Sequence, residues 1–236
     1  MRLVAWNANF NLKKRSLERN VDLLREFSPD VIVLSETAAP ATGNPSNALW
    51  CGSGDPGLAV IPDQGWELKP DPANGHALPL MAGFRVCGRS TFGLLAIWPA
   101  PEKNSGATYH EILMAALEHY SRLLTSGRAV MAGDFNSNTR VSSQRYTHPR
   151  FVAAAESRGL VSVYHARSGE QHGNESLATY RHQYSPAHTF HIDYCFASLP
   201  IANSANLRIA NDDKWASRSD HYPLILDVDD SLLWAK

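Results

Sequence analysis

The sequence predicts an α/β or α+β domain, because predicted strands and helices alternate along the chain and one strand–helix–strand pattern occurs twice. With 236 residues, the chain is long enough to form one compact domain, which we expect to span residues 1–236. A domain of this size buries roughly 70% of the surface that its unfolded chain exposes. The repeated pattern predicts two similar halves.

The first strand–helix–strand segment begins at the amino terminus. Residues 2–10 (RLVAWNANF) predict a strand that ends in amide side chains. Apolar residues from Leu17 to Phe27 then recur near a 3.6-residue period, which predicts an amphipathic helix, and the following Ser-Pro pair ends it. The run DVIVLSE is typical of a strand buried on both faces, and it ends in Glu36.

The second segment repeats this order. FGLLAIW predicts a strand, TYHEILMAALEHYSRLL has apolar residues at helical spacing, and RAVMAGDFN predicts a strand that ends in Asp134. Between the halves, residues 37–79 are rich in Pro, Gly, Asn and Ala and predict surface loops with two short strands, GLAVIP and GWELKP. Beyond residue 138, HPRFVAAAESRG predicts a helix, and LVSVYHA, TFHIDYCFAS and YPLILDV predict strands.

Composition and charge exclude several classes of protein. No long uncharged apolar run is present, so we expect neither a signal peptide nor a membrane span. A net charge of -1 argues against binding nucleic acid through bulk positive charge, although a local basic surface remains possible. Cys51, Cys87 and Cys195 are an odd number without CxxC spacing, each among apolar or small residues, which predicts reduced, buried thiols and a cytoplasmic location. The sequence indicates no obligate protein partner.

Polar side chains end or interrupt five of the predicted strands. They are Asn7 with Asn9, Glu36, Asp134 with Asn136, Asp193, and Asp220 with His221. Each one alone would be an ordinary turn residue. Asp193 is different because its neighbours are apolar, and a buried carboxylate requires a partner, for which a histidine is suited, or a metal. Carboxylate and amide oxygens suit Mg²⁺ or Mn²⁺, and zinc spacings such as HExxH are missing.

Several of these residues are predicted to meet. In GDFNSN, Asp134 and Asn136 would point to one site because alternate residues of an extended chain share a face. One histidine with several carboxylates indicates phosphate chemistry. The other histidines occur singly and are expected to have surface or packing roles; they include His76, His110, His119, His148, His165 and His172.

In order and in context, the motifs WNAN, LSE, GDFN, HIDY and SDHYP resemble those of the endonuclease/exonuclease/phosphatase family, over residues 5–223. This metal-dependent superfamily includes deoxyribonucleases, abasic-site endonucleases, deadenylases and inositol-phosphate phosphatases. The resemblance implies a four-layer α/β sandwich, in which two mixed β-sheets pack face to face and helices flank them. It also implies a site at one rim of the sheets.

The resemblance assigns metal binding to one group of residues. Glu36 resembles the main metal ligand of the family, and Asp220 a second group of the metal site. Asn9 lies where some members have an acidic ligand, and Asn7 lies near the metal and the scissile phosphate. The implied cofactor is Mg²⁺ or Mn²⁺.

Catalytic roles follow from the same resemblance. Asp134 resembles the aspartate that activates the water or protonates the leaving oxygen, and Asn136 the amide that holds the phosphate or orients that aspartate. His221 resembles the histidine that contacts the scissile phosphate, and Asp193 the carboxylate that hydrogen-bonds it, fixes its tautomer and favours its charged form.

Substrate contacts are predicted with alternatives left open. Trp98 stands where many members have a histidine or tyrosine; an indole cannot exchange a proton, so Trp98 either packs against a base or sugar or fills the core. Asn138 either lines the cleft or stabilises the following turn. Arg181 and His191 are candidates for a phosphate-binding wall, or lie at solvated strand ends. TYRHQY, residues 179–184, suits contact with single-stranded nucleic acid.

The sequence therefore predicts a metal-dependent phosphoesterase that acts on nucleic acid, with DNA favoured, through in-line attack of water. The alternative enzyme is a phosphomonoesterase for a small or lipid-derived phosphate, because the same residues address only the phosphate. A non-catalytic binding module is the alternative from another class. The presence of Glu36, Asp134 and His221 together argues against it.

Overall fold

Two six-stranded mixed sheets form the centre of the protein, as seen in a computed structural model. The described residues are 1–41, 48–52, 54–70, 78–101 and 106–234. Part of the predicted loop segment 37–79 lies outside them, as does His76. The described strands, in chain order, are β1 (Arg2–Asn7), β2 (Val31–Thr37), β3 (Leu49–Cys51), β4 (Gly57–Pro62), β5 (Glu67–Pro70), β6 (Met81–Cys87), β7 (Thr91–Ile97), β8 (Ala129–Asp134), β9 (Leu160–Ser162), β10 (Tyr180–Arg181), β11 (Thr189–Phe190), β12 (Asp193–Ser198), β13 (Asn206–Ile209) and β14 (Leu224–Asp227).

The first sheet has the order β13-β14-β1-β2-β4-β3, and the second has the order β5-β6-β7-β8-β12-β9. Strands β10 and β11 form a separate two-stranded sheet. The described α-helices are α1 (Phe10–Lys13), α2 (Leu17–Leu24), α3 (Tyr109–His119), α4 (Ser121–Leu124), α5 (Thr147–Glu156), α6 (Val163–Ser168), α7 (Leu199–Ser204) and α8 (Asp213–Ala216). Within the part of the chain that is described, no helix has the length and apolar character to cross a membrane.

The repeated strand–helix–strand pattern is confirmed. Strands β1 and β2 are parallel and are connected through α1 and α2, while β7 and β8 are parallel and are connected through α3 and α4. Each sheet also has antiparallel neighbours: β14 pairs with β1, and β12 pairs with β8. Each half thus places a parallel pair at the centre of a mixed sheet.

Side chains from both sheets share one hydrophobic core. Along the second sheet, successive residues alternate between this core and a second cluster under α3 and α5: Leu94 packs in the first and Leu95 in the second, and Val130 and Met131 divide in the same way. A strand that is buried on both faces explains the continuous apolar runs of the sequence. The predicted four-layer sandwich is confirmed.

Three predicted elements have different boundaries. LVSVYHA is a strand only through Ser162, after which α6 begins and buries Val163 and Tyr164; a short apolar run does not distinguish strand from helix by period alone. TFHIDYCFAS is interrupted at 191–192 and forms β11 and β12. The helix predicted in the second half breaks at Tyr120 into α3 and α4.

The topology brings distant strand ends to one rim. Parallel β1 and β2 end there with Asn7 and Glu36, and β8 ends there with Asp134. Because β12 is antiparallel to β8, Asp193 at its start pairs with Asp134 at the end of β8. Cys51, Cys87 and Cys195 are unpaired, as predicted, but only Cys195 is buried; Cys51 and Cys87 are partly exposed, so the expectation of three buried thiols is wrong.

Candidate active site

One buried amide connects two carboxylates at the rim. The Nδ2 atom of Asn7 donates to Glu36 Oε1 at 3.0 Å and to Asp134 Oδ2 at 2.9 Å. Asn7 is only 1% exposed, so water does not compete for these bonds. The two carboxylates, which come from different sheets, are therefore held in a fixed relation to each other.

Asn136 holds Asp134 from the other side. Its backbone N–H donates to Asp134 Oδ1 at 2.8 Å and its side-chain Nδ2 donates to Asp134 Oδ2 at 3.0 Å. The two residues meet as predicted, but the reason differs. Asn136 has a φ of 50°, so the backbone turns back here rather than continuing as an extended strand with alternating faces.

The glycine of GDFN is required by close backbone packing. Gly133 has a φ of 142°, and a Cβ atom placed on it would lie 2.0 Å from the carbonyl oxygen of Ile97 in the neighbouring strand β7. A larger residue would push β8 away from β7 and displace Asp134, the next residue. The glycine thus belongs to the geometry of the site, although it contributes no side chain.

Asp193 and His221 form the predicted buried pair. His221 Nδ1 lies 2.9 Å from Asp193 Oδ2 and 3.1 Å from Oδ1, and both residues are at most 5% exposed. The backbone N–H of Asp193 in turn donates to Thr179 Oγ1 at 3.0 Å. Since Nδ1 faces Asp193, Nε2 is the nitrogen of His221 that remains for a substrate.

Electrostatics make His221 a cation. Burial alone would lower its pKa, but the charge of Asp193 and the hydrogen bond to it raise the pKa to about 10. Tyr180 covers the imidazole, with the two ring centroids 4.5 Å apart. His221 is therefore charged and oriented at neutral pH.

The surroundings of Asp134 disfavour its charged form, whereas those of His221 favour the charged form. Burial, followed by repulsion from the charge of Asp193, raises the pKa of Asp134 to about 7, so that it exchanges protons near neutrality. Burial also raises the pKa of Glu36, and the charges of Asp220 and Asp193 add to this. Carboxylates that repel one another in this way form a site to which a divalent cation is suited.

Asn9 and Asp220 complete the rim. Asn9 Nδ2 donates to Asp220 Oδ1 at 2.6 Å, and the backbone N–H of Asn9 donates to Asn7 Oδ1 at 2.9 Å. The hydroxyl of Ser219 donates to Asn7 O at 2.8 Å and so connects the segment of Asp220 to β1. The donor set at this rim is carboxylate and amide oxygen, which matches the ligands that Mg²⁺ and Mn²⁺ prefer.

The four residues predicted to contact substrate are buried or bonded within the protein; they are Trp98, Asn138, Arg181 and His191. Trp98 is 7% exposed and packs in the core between the sheets, which favours the packing alternative. Asn138 is fully buried; it donates to His191 O at 2.8 Å and accepts from Arg140 N at 2.8 Å, which favours the turn alternative. His191 is 2% exposed, and its Nδ1 lies 2.8 Å from Leu177 O.

Arg181 supports the segment that carries Asp220. Its guanidinium donates to the carbonyl oxygens of Ala216 and Ser219, and its backbone N–H donates to Asp220 O at 2.8 Å. This arrangement differs from both predicted alternatives, a phosphate-binding wall and a solvated strand end. The guanidinium is used within the protein because the loop before Asp220 presents several carbonyl oxygens that need donors.

The structure adds residues that sequence patterns did not identify. A cleft of about 310 Å³ lies beside Asn136, and Tyr109, Gln144, Tyr180 and Phe190 contribute to its walls. Burial, followed by the negative charges of Asp134 and Glu36, raises the pKa of the Tyr109 phenol. The phenol is therefore close enough to both carboxylates to interact with their charges. Tyr109 begins α3 and has no motif around it; only Tyr180, within TYRHQY, carried a sequence signal.

The family model described as "Endonuclease/Exonuclease/phosphatase family" matches residues 4–221, a range that includes every residue of the rim. No curated protein matches the chain. Among solved structures, the 3′-5′ exonuclease NExo from Neisseria meningitidis is similar with a TM-score of 0.71 and 18% identity, covering 97% of this chain and 100% of that one.

Two further structures have the same fold. The 3′ phosphatase NExo from Neisseria, bound to a product DNA hairpin, gives a TM-score of 0.69 at 16% identity and covers 97% of this chain and 99% of that one. An AP endonuclease from Archaeoglobus fulgidus gives 0.66 at 18% identity and covers 97% and 99%. The fold, the rim and the match of the family model lead to one conclusion: this chain belongs to the endonuclease/exonuclease/phosphatase family of hydrolytic phosphoesterases.

Proposed function

We propose that this protein is a divalent-metal-dependent nuclease that hydrolyses phosphodiester bonds in DNA. The observation that carries the proposal is the charged Asp193–His221 pair beside an Asp134 whose pKa is raised to about 7. A cation for the phosphate and a group for proton transfer then lie at one rim. We further propose a single domain over residues 1–236 and, from the free thiols, a cytoplasmic location.

Glu36 and Asp220 are the residues that would hold Mg²⁺ or Mn²⁺, with Asn9 beside them. Bound there, the ion would supply positive charge against the negative charge of the phosphate. Asn7 keeps Glu36 at a fixed position through the 3.0 Å bond to Oε1. Burial, with smaller contributions from the charges of Asp220 and Asp193, raises the pKa of Glu36, and a bound cation would compensate both effects.

The protein's own groups supply orientation and proton transfer. His221 Nε2 donates to a phosphate oxygen, because Asp193 occupies Nδ1 and keeps the ring charged. Asp134 either accepts a proton from the attacking water or donates one to the leaving oxygen, and a pKa of about 7 suits both roles. Asn136 fixes the orientation of Asp134 through its two hydrogen bonds.

A second candidate is hydrolysis of a phosphomonoester, which the same rim residues could serve. One similar structure is a 3′ phosphatase bound to a DNA hairpin, so a terminal phosphate on DNA is the specific form of this alternative. Small and lipid-derived phosphates remain part of the comparison.

A substrate panel tests both candidates. Single- and double-stranded DNA, abasic DNA, RNA, DNA with a 3′-terminal phosphate, inositol phosphates and small phosphomonoesters are compared at equal concentration with Mg²⁺ or Mn²⁺. We expect internal or terminal cleavage of DNA that Asp134→Asn abolishes. Exposed Asp213 provides the matched control, because Asp213→Asn makes the same chemical change at a solvent-exposed side chain that is not among the residues assigned to the site. Release of phosphate without cleavage of any nucleic acid would overturn the nuclease proposal.

A further inference from the structure

Four histidines and one glutamate lie together behind the rim. This histidine cluster consists of His148 in α5, His165 in α6, His172 and Glu175 in the loop after α6, and His191 before β12. The rings of His165 and His172 are stacked, with centroids 3.6 Å apart at an interplanar angle of 19°. The expectation that His148, His165 and His172 occur singly is wrong, because the fold brings residues from four segments into one group, although the packing role expected of them holds for the buried His148.

Three members of the cluster offer a set of metal ligands. One ligand atom each from His165, His172 and Glu175 lies within 4.8 Å of the other two. His165 Nε2 is already 3.2 Å from Glu175 Oε1. The side chains of His165 and Glu175 are only 9% and 3% exposed, so the proposed ligands lie beneath the surface, where little water competes with them for an ion.

Hydrogen bonds fix the other nitrogen of each histidine. His165 Nδ1 lies 2.8 Å from Ser162 Oγ, and His172 Nδ1 lies 3.0 Å from His148 Nε2. His148 Nδ1 in turn lies 2.9 Å from Ser137 Oγ. Donation from His172 Nδ1 to His148 leaves the Nε2 lone pair of His172 free. His165 Nε2 donates to Glu175 Oε1 in this structure, so His165 would release that proton and donate through Nδ1 to Ser162 when it binds an ion, which is the outer arrangement that metal-binding histidines commonly have.

We propose that His165, His172 and Glu175 form a second metal site, separate from the catalytic rim, which binds Zn²⁺. Two imidazole nitrogens favour zinc over Mg²⁺ or Mn²⁺, and three protein ligands leave a fourth position for water. A tetrahedral ion requires the two Nε2 lone pairs to converge, so one ring tilts out of the stack on binding. The spacing, with six residues between His165 and His172 and two between His172 and Glu175, matches neither HExxH nor paired CxxC, so those motifs did not indicate the site.

The proposed zinc site would stabilise the segments that hold the Asp193–His221 pair in position. Glu175 Oε1 accepts from Asn138 Nδ2 at 3.2 Å, and the same Nδ2 donates to His191 O. The loop that carries Glu175 continues to Thr179, whose hydroxyl accepts from the backbone N–H of Asp193. Zinc would thus tie α6, this loop and the segment after GDFN together.

Calorimetric titration of the chelated, metal-free full-length protein with Zn²⁺ tests the proposal. The Glu36→Gln variant removes the main proposed ligand of the catalytic rim, and we expect one Zn²⁺ binding event to persist in it. In that background, His172→Gln and Glu175→Gln should weaken this event at least about tenfold. The exposed His188 supplies the matched control, and His188→Gln should leave the Zn²⁺ affinity unchanged.

Co²⁺ provides a measurement that does not depend on cluster variants folding. Co²⁺ bound to the Glu36→Gln protein should give the intense visible absorption of a tetrahedral site, and X-ray absorption of the zinc form should show two imidazole ligands. Circular dichroism shows whether each variant is folded. The absence of any Zn²⁺ event in Glu36→Gln, an unchanged affinity in folded His172→Gln, or fewer than two imidazoles around zinc would overturn the proposal.

Discussion

Asp193→Asn is the most direct perturbation of the proposed chemistry. The substitution keeps the size of the side chain and its ability to accept a hydrogen bond from His221 Nδ1, but it removes the charge that opposes burial. In the native protein that charge raises the pKa of His221 from 6.5 to about 10. Without it, burial, which is the largest influence on this group, is opposed mainly by the smaller effects of Asp134 and Asp220, so we expect the pKa of His221 to fall to its ordinary value of 6.5 or below.

The magnitude follows from the protonated fraction of His221. At about pH 8, a group with a pKa of about 10 is almost fully charged, whereas a group with a pKa of about 6.5 or below is charged to about 3% at most. If the cation is required, kcat/KM falls at least about 30-fold at this pH, and it recovers by about tenfold per pH unit as the pH falls toward the pKa of the variant. The assay is the pH profile of Mg²⁺-dependent cleavage of a labelled DNA oligonucleotide, with Asp213→Asn as control.

The pair also has a predicted effect on stability. The pKa of His221 in the folded protein lies above its value in the unfolded chain, so the stabilisation is fully present below about pH 6.5 and is lost as the pH rises through about 10. Asp193→Asn should therefore lower the free energy of unfolding at neutral pH and have a smaller effect near pH 10. An unchanged basic limb of the activity profile in folded Asp193→Asn would refute the role of the charged pair.

A double-mutant cycle tests whether the two residues act as a unit. His221→Ala and Asp193→Ala should each disable the same step, so the double variant should be little slower than the slower single variant. Losses that multiply would indicate independent residues. Circular dichroism and melting curves identify any variant whose loss arises from unfolding.

The remaining predictions concern the metal, proton transfer and the core. Excess EDTA should abolish cleavage and Mg²⁺ or Mn²⁺ should restore it, and Glu36→Gln should raise the metal concentration for half-maximal activity at least about tenfold; a wild-type metal titration would remove Glu36 from the ligand set. Asp134→Asn should reduce kcat by about 10²- to 10⁴-fold, and a loss below about tenfold would assign proton transfer elsewhere. Gly133→Ala should destabilise the protein by more than about 3 kcal/mol in denaturant unfolding, because its Cβ meets a carbonyl oxygen at 2.0 Å. Trp98→His should cost about 3 kcal/mol of stability because it replaces a large core side chain, and an unchanged melting temperature would contradict the core position.

The sequence predicted the strands and helices whose formation depends on residues close together in the chain. The apolar runs and the helical period of α2 depend on residues that are near one another in the chain, and these elements are found where they were predicted. The polar ends of β2 and β8 were also visible, because Glu36 and Asp134 interrupt otherwise apolar runs. The four-layer arrangement came from the resemblance of the motifs, not from these patterns.

Contacts between segments that are distant in the chain could not be predicted from this one sequence. The roles of Asn138 and Arg181 depend on which carbonyl oxygens the fold brings near them, and these belong to residues 35 to 53 positions away. The histidine cluster has the same origin, since His148 and His172 are 24 residues apart yet 3.0 Å from each other. Without the tertiary structure, each of these side chains has only its ordinary role as a surface or turn residue.

Backbone conformation is the final element that sequence did not reveal, and it connects the fold to the proposed chemistry. Asn9, Glu36 and Asn136 all have φ values between 48° and 50°, in the left-handed region that costs a residue with a side chain about 1 kcal/mol or more. Asn136 recovers part of this cost through two hydrogen bonds to Asp134, and Asn9 through bonds to Asp220 and Leu12. Because the turns at Asn136 and Asn9 are each hydrogen-bonded to a carboxylate of the rim, the rim is arranged before a substrate arrives, and relaxing either turn would displace Asp134 or Asp220.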